Sequence, residues 1–316
     1  MIDDPDPRVE LAIAVHNRTG ESPLWHPREQ VLYWCDIPAR RLYRHDPARS
    51  TLRHWDFDAD VACCAPMLDG GLLLAQRTGL WRFDPVSASL TPLCPPPYDP
   101  ATERFNDGKC DPRGRFWVST IYEPREPARA ALYRFDGREL ARMAGGLTVG
   151  NGLAWSPDAR TIYWSDTRAH TIHAADFDAA AGSLSTGRVF VRFPDQDQTG
   201  AMAHYGGRPD GAAVDVEGCY WVAMYEGQRL LRLSPDARVL DEVRLPARCP
   251  TMPCFGGADL RTLYVTTARE GRSAQELALQ PLAGSVFQLR VDVPGLPANL
   301  YVARGRTAPS KAPRAP

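Results

Sequence analysis

No apolar run in this chain of 316 residues approaches the roughly 20 residues that a membrane-spanning helix needs. Extended windows with a 3.6-residue hydrophobic period are missing too, which argues against a helical bundle or helical repeat. Charge of one sign is not in excess: 37 Lys and Arg stand against 38 Asp and Glu. With no basic stripe in the pattern, nothing asks for nucleic acid or a membrane surface as partner. The opening MIDDPDPRVE is acidic and lacks an apolar stretch, so no signal peptide is expected and a cytoplasmic location is.

Several chemical signatures are absent as well. The eight cysteines (Cys35, Cys63, Cys64, Cys94, Cys110, Cys219, Cys249 and Cys254) form no C-x-x-C pair and no zinc-knuckle spacing with histidine. Buried, unpaired thiols are the expectation. There is no G-x-S-x-G elbow, which disfavours a serine-hydrolase route. The histidines, His16, His26, His45, His54, His170, His173 and His204, show no H-E-x-x-H or other metal spacing. His204 alone stands just ahead of a candidate ligand, and it reads as a loop residue.

What the chain has is turns and short strands. Residues 150–166, GNGLAWSPDARTIYWSD, run from Asn-Gly through a brief apolar strand, a Ser-Pro-Asp turn and a second strand dense in aromatics. The unit recurs, for example as ESPLWHPREQVLYWCDI, KCDPRGRFWVST and AAVDVEGCYWVAM. A third strand follows most copies, as in ALYRFDG and RLLRLSPD. The repeat length is roughly 40 to 57 residues, the range of a four-stranded propeller blade. Six units fill the chain, and the 29 prolines sit through the turns. The pattern predicts an all-β, six-bladed β-propeller with four-stranded blades, one domain over residues 1–303. Residues 304–316, RGRTAPSKAPRAP, are expected to be a flexible, Pro-rich basic tail. A pair of β-sandwiches would explain the strand count but not the strand order.

The second-strand aromatics Tyr33, Phe116, Tyr163 and Tyr220 align four of the units. Ten to twelve residues before them stand Glu21, Asn106, Asn151 and Asp210. Turn chemistry alone favours such residues at a strand start. Four at one phase is a stronger signal, because a propeller brings those positions to its axis. Converging oxygen donors, two of them anionic, need a cation, and a divalent metal answers that need. The two remaining units bring Cys63 and either Met252 or Cys254 to the same phase, where packing is the expected role.

The motifs GESPLW, RFNDGKCDPRGRFWVST, GNGLAWSPD with IYWSDT, PDGAAVD with YWVAMY, and TMPCFGGADLRTLYVTTA together resemble the senescence marker protein / gluconolactonase family, which includes regucalcin and bacterial sugar lactonases. They keep the family's order from about Gly20 to Arg269. The resemblance implies a six-bladed propeller holding one divalent ion on Glu21, Asn151 and Asp210. It implies substrate contacts from Arg104, Asn106 and, through STIYEPRE, Glu123. Asp107 and Lys109 are expected to hold the loop. The implied activity is metal-dependent hydrolysis of a sugar-acid lactone, a glucono-, galactono-, arabinono- or xylonolactone, with Asp210 also handling the proton. An oxygen-only site accepts calcium, zinc, manganese, magnesium or iron(II). The expected partner is a small sugar lactone, and the expected state a monomer or weak homo-oligomer. Two other readings stand beside this one: a non-catalytic calcium-binding or scaffold propeller, and a lactonase of phosphotriesterase type acting on other esters.

Overall fold

A computed structural model of the chain describes residues 4–195 and 205–303. The basic tail and His204 lie outside the described residues. Six antiparallel sheets stand in a ring. The inner strands are Gly20–His26, Val61–Pro66, Glu103–Cys110, Gly150–Trp155, Arg208–Val214 and Pro250–Gly256. Each lies beside the next, and the last returns to the first. This is the six-bladed propeller that the repeat predicts. Blade 4 carries a small elaboration: its third strand pairs with two short segments, Ser183–Leu184 and Arg188–Arg192.

Position in the blade sets the composition of each strand. Second strands such as Val31–Asp36 and Leu72–Gln76 are buried along their whole length, because neighbouring blades cover both faces. Their sequences are accordingly near-continuous apolar runs, VLYWCD and LLLAQ. Outer strands such as Thr51–Asp56 are largely exposed and read as polar mixtures. The apolar clusters fall between blades. Trp117 of blade 3 meets Trp155 of blade 4 edge-on at 6.1 Å, and Trp221 of blade 5 meets Phe255 of blade 6 at 6.3 Å. No blade has a core of its own to rest on, so the ring is the folding unit. All eight cysteines are free thiols.

Three features were not expected from sequence. The outer strand of blade 6 is Glu10–Ile13, so a strand that precedes blade 1 in the sequence closes the ring against Val286–Arg290. A short helix, Ala274–Leu279, capped by the Ser273 side chain, interrupts the same blade. A third element, residues 294–302, crosses one end of the channel like a strap. It hydrogen-bonds in turn to Val216, Leu260, Pro66, Leu68 and Gly114.

Every inner strand carries one extra residue against its second strand, and always near its start. In blade 1 the register moves from Glu21 facing Cys35 to Leu24 facing Tyr33. In blade 4 it moves from Asn151 facing Ser165 to Ala154 facing Tyr163. Such bulges bend a strand and re-aim its side chains. The strand pairing also corrects the phase read from the aromatics. Glu21 and Asn151 occupy the last paired position before the bulge, whereas Asn106 and Asp210 come one step later, after Phe105 and Pro209.

Candidate active site

Glu21, Asn106, Asn151 and Asp210 are 6 %, 6 %, 3 % and 5 % exposed and gather at one end of the channel. A chain of side-chain hydrogen bonds joins three blades. Arg104 Nη1 donates to Asn106 Oδ1 at 2.8 Å, and Asn106 Nδ2 donates to Asn151 Oδ1 at 2.8 Å. Asn151 in turn bonds Thr167 Oγ1 at 2.8 Å and the Asp210 carboxylate. Glu21 completes the group from blade 1, one carboxylate oxygen accepting from the Ser22 N–H at 2.9 Å.

The backbone at these positions is held by polar groups of neighbouring strands. Asp36 accepts from the N–H groups of Arg18 and Thr19, and Asp166 accepts from those of Thr148 and Val149. Both clamp the segment that leads into a bulge. Hydroxyls then pin three of the bulges to the blade before. Ser119 donates to Gly150 O at 2.6 Å, Ser165 to Asp210 O at 2.9 Å and Thr251 to Gly20 O at 2.5 Å. Gly152 has a left-handed φ of 63°, and a Cβ there would stand 2.3 Å from Tyr220 Oη. The Asn-Gly pair therefore has two separate uses: Asn151 presents an amide, and Gly152 makes room for the next blade. The sequence reading missed these supports, although WCDI and WSDT repeat the clamping Asp in blades 1 and 4.

Burial dominates the electrostatics. It pushes the Glu21 carboxyl up to about 8, with the Asp107 carboxylate adding to the rise. Asp210 is raised well above its ordinary value, again by burial first and by Glu21 second. The cations that oppose these rises, Arg104 and Lys109 for Glu21 and Arg208 for Asp210, act through space. Lys109 is itself lowered by burial and donates its ammonium to the Ala212 carbonyl, tying blade 3 to blade 5 across the channel. Asp107 accepts from the Leu153 N–H at 2.8 Å, and its Oδ1 has no hydrogen-bond partner. Both residues belong to the inner strand Glu103–Cys110, and they tie it to blades 4 and 5 rather than holding a loop.

Among the described residues no three His, Cys, Asp or Glu side chains form a metal cluster. The set here is two carboxylates and an amide. Two buried carboxylates, with Glu21 raising the proton affinity of Asp210, next to an amide oxygen, fit a hard divalent cation. Glu123 is brought to the same rim, 3.8 Å from Arg104 Nε, but Arg77 holds it in a two-pronged contact at 2.8 and 3.1 Å. Arg77 is also what lowers the Glu123 carboxyl below its ordinary range. Cys63 and Met252 are buried in the channel wall, and Cys254 Sγ accepts from the Trp25 N–H. A cavity of about 340 Å³ opens toward the opposite end, lined mainly by apolar strand ends such as Trp25, Trp155 and Phe255 and floored by Leu296–Asn299.

Fold and site together define a six-bladed propeller with an oxygen-lined channel mouth. The chain belongs to the SMP-30/Gluconolactonase/LRE-like family, whose model matches residues 19–269. A 6-deoxy-6-sulfogluconolactonase of Pseudomonas putida is 46% identical over 89% of this chain and 94% of its own. Regucalcin of Danio rerio is 35% identical over 93% of this chain and 98% of its own. A crystal structure of a calcium-binding regucalcin from Agrobacterium tumefaciens superposes with a TM-score of 0.86 at 25% identity, covering 92% of this chain and 96% of that one. Among the described residues no helix is long and apolar enough to cross a membrane.

Proposed function

We propose that the protein hydrolyses the lactone of a sugar acid with the help of a divalent metal ion. The observation that carries this reading is the hydrogen-bonded run from Arg104 through Asn106 and Asn151 to Asp210, opposite Glu21. Glu21, Asn151 and Asp210 would hold the cation, which supplies Lewis acidity toward the lactone carbonyl. Arg104 and Asn106 bond the ring hydroxyls and turn the carbonyl toward that set. Asp210 takes a proton from the attacking water as the new C–O bond forms. It returns the proton to the ring oxygen as the ring C–O bond breaks, leaving the open hydroxy acid. Burial raises the proton affinity of Asp210, which suits it to that exchange. The curated relative from Pseudomonas putida is named for a six-carbon lactone, and we extend the lactone class, though not yet the ring substituent, to this chain.

The test is acid release from a panel of aldonolactones, first with chelated protein and then with calcium, zinc, manganese, magnesium or iron(II) restored. Turnover lost on chelation and regained with at least one ion is the expected result. Binding of calcium with no turnover of any lactone would favour a non-catalytic propeller instead.

A further inference from the structure

The rim around the channel mouth is crowded with guanidinium groups. Most are matched by carboxylates. Arg77 pairs with Asp60 and Glu123 at 2.8 Å each, and Arg208 and Arg272 share Glu226 at 2.7 and 3.0 Å. Arg125 differs. It sits on the turn that follows Phe116–Tyr122, two residues after Glu123, with its N–H donating to Tyr122 O at 2.9 Å. Its φ of 72° is left-handed, an uncommon state for a bulky side chain. Among the described residues it has no ion pair within 4 Å, and its Nη1 is buried with no hydrogen-bond partner. The charges that reach it are, in order of strength, Arg168, the Glu123 carboxylate and Arg208, the two cations coming from the next two blades. Among the described residues Arg168 has one ion-pair partner, Glu126, at 3.9 Å. Arg208 lies two residues before Asp210, its guanidinium over the Tyr225 ring at 5.4 Å and its buried Nε without a hydrogen-bond partner among the described residues. Arg104 is close enough to Arg125 for the two to repel.

Like charges collected from three blades cost stability unless an anion joins them. We propose that Arg125, Arg168 and Arg208 form a subsite for a tetrahedral oxyanion, a sulfonate or phosphate, carried on the end of the lactone remote from its reacting carbonyl. This rests on the lactonase reading of the same mouth. Guanidinium forks match the spacing of oxyanion pairs, and N–H groups already stripped of water lose little more on binding. A hydroxymethyl group at that position could accept hydrogen bonds but could not neutralise the cluster.

The experiment compares three lactones of one six-carbon sugar, with 6-hydroxyl, 6-sulfonate and 6-phosphate, on metal-loaded wild type, Arg125→Gln and Arg168→Gln. Wild type should prefer one of the two anionic lactones over the neutral one, and which it prefers identifies the source of the oxyanion. Arg125→Gln should lower kcat/KM for that lactone about 10- to 100-fold, mostly through KM, as expected for a charged hydrogen-bonded pair. The neutral lactone should change far less. Arg168→Gln should act in the same direction and serves as the second variant if Arg125→Gln does not fold. Parity between neutral and anionic lactones in wild type, or an equal loss on all three in the variants, overturns the subsite while leaving lactone hydrolysis standing. If no lactone is turned over, calorimetric binding of the 6-sulfonated and plain aldonic acids decides. Tighter binding of the sulfonated acid that Arg125→Gln abolishes supports the subsite without the lactonase; equal binding ends both.

Discussion

Asp210 and Arg104 are joined through Asn106 and Asn151 into one run, yet they should fail differently when removed. Asp210→Ala takes away a ligand and the proton acceptor together, so metal content and turnover should fall in step, and excess metal should not restore the rate. Arg104→Ala leaves the oxygen set intact. It should keep its metal while kcat/KM drops by about 1.5–3 kcal/mol, the range for a hydrogen bond to a charged group. Elemental analysis beside lactone kinetics reads both. An Asp210→Ala protein that keeps its metal and its rate would move the site elsewhere. Ser165 touches neither substrate nor ion, but it holds the Asp210 carbonyl. Ser165→Ala should weaken metal affinity about 10- to 100-fold, the usual cost of losing a group that orients a ligand. A metal titration showing no change would reduce that hydroxyl to packing.

The bulge is the element on which the site depends, and it marks how far the sequence could be read. Repeated strands and turns are written locally, in aromatics, prolines and Asn-Gly pairs, so the six blades and the four oxygen-bearing residues are visible in one dimension. The register is not. All four blades carry the same bulge, but the marker aromatics differ: Tyr33 and Tyr163 face the first pair after it, Phe116 and Tyr220 face positions two residues further on, and so four side chains taken as one phase occupy two. The closing strand was hidden for another reason. ELAI is four residues long, and its partner Gln288 lies 278 residues away. Arg125, Arg168 and Arg208 escaped notice likewise, because each is an ordinary loop or strand-start residue until the ring brings three blades together. Gly152 gives the bulge its test. An Ala there must adopt a left-handed φ and would crowd Tyr220 Oη, Ser165 Oγ and the Asp210 carbonyl. Gly152→Ala should cost about 1–3 kcal/mol in denaturant unfolding and weaken metal binding at the same time. Loss of stability with metal affinity unchanged would separate the glycine from the site.

For the whole molecule, the buried carboxylates make stability depend on pH and on metal together. Glu21 and Asp210 hold protons more tightly folded than unfolded. Without metal, the stability they lend is complete below their ordinary values and is lost as pH rises, for Glu21 through about 8. A cation requires the deprotonated forms, so the gain in Tm from metal over chelator should widen between pH about 6 and about 8.5. A constant or shrinking gain would mean that these carboxylates are not the ligands. The closing strand has a consequence in time. Glu10–Ile13 leaves the ribosome well before Gln288, which it must face and which follows 278 residues later. At roughly 5–20 residues per second, that strand waits on the order of 14 to 56 s for its partner. During that interval the nascent protein is an open ribbon of blades whose early strand Glu10–Ile13 is unpaired, the state in which chaperones or a second nascent copy can reach it.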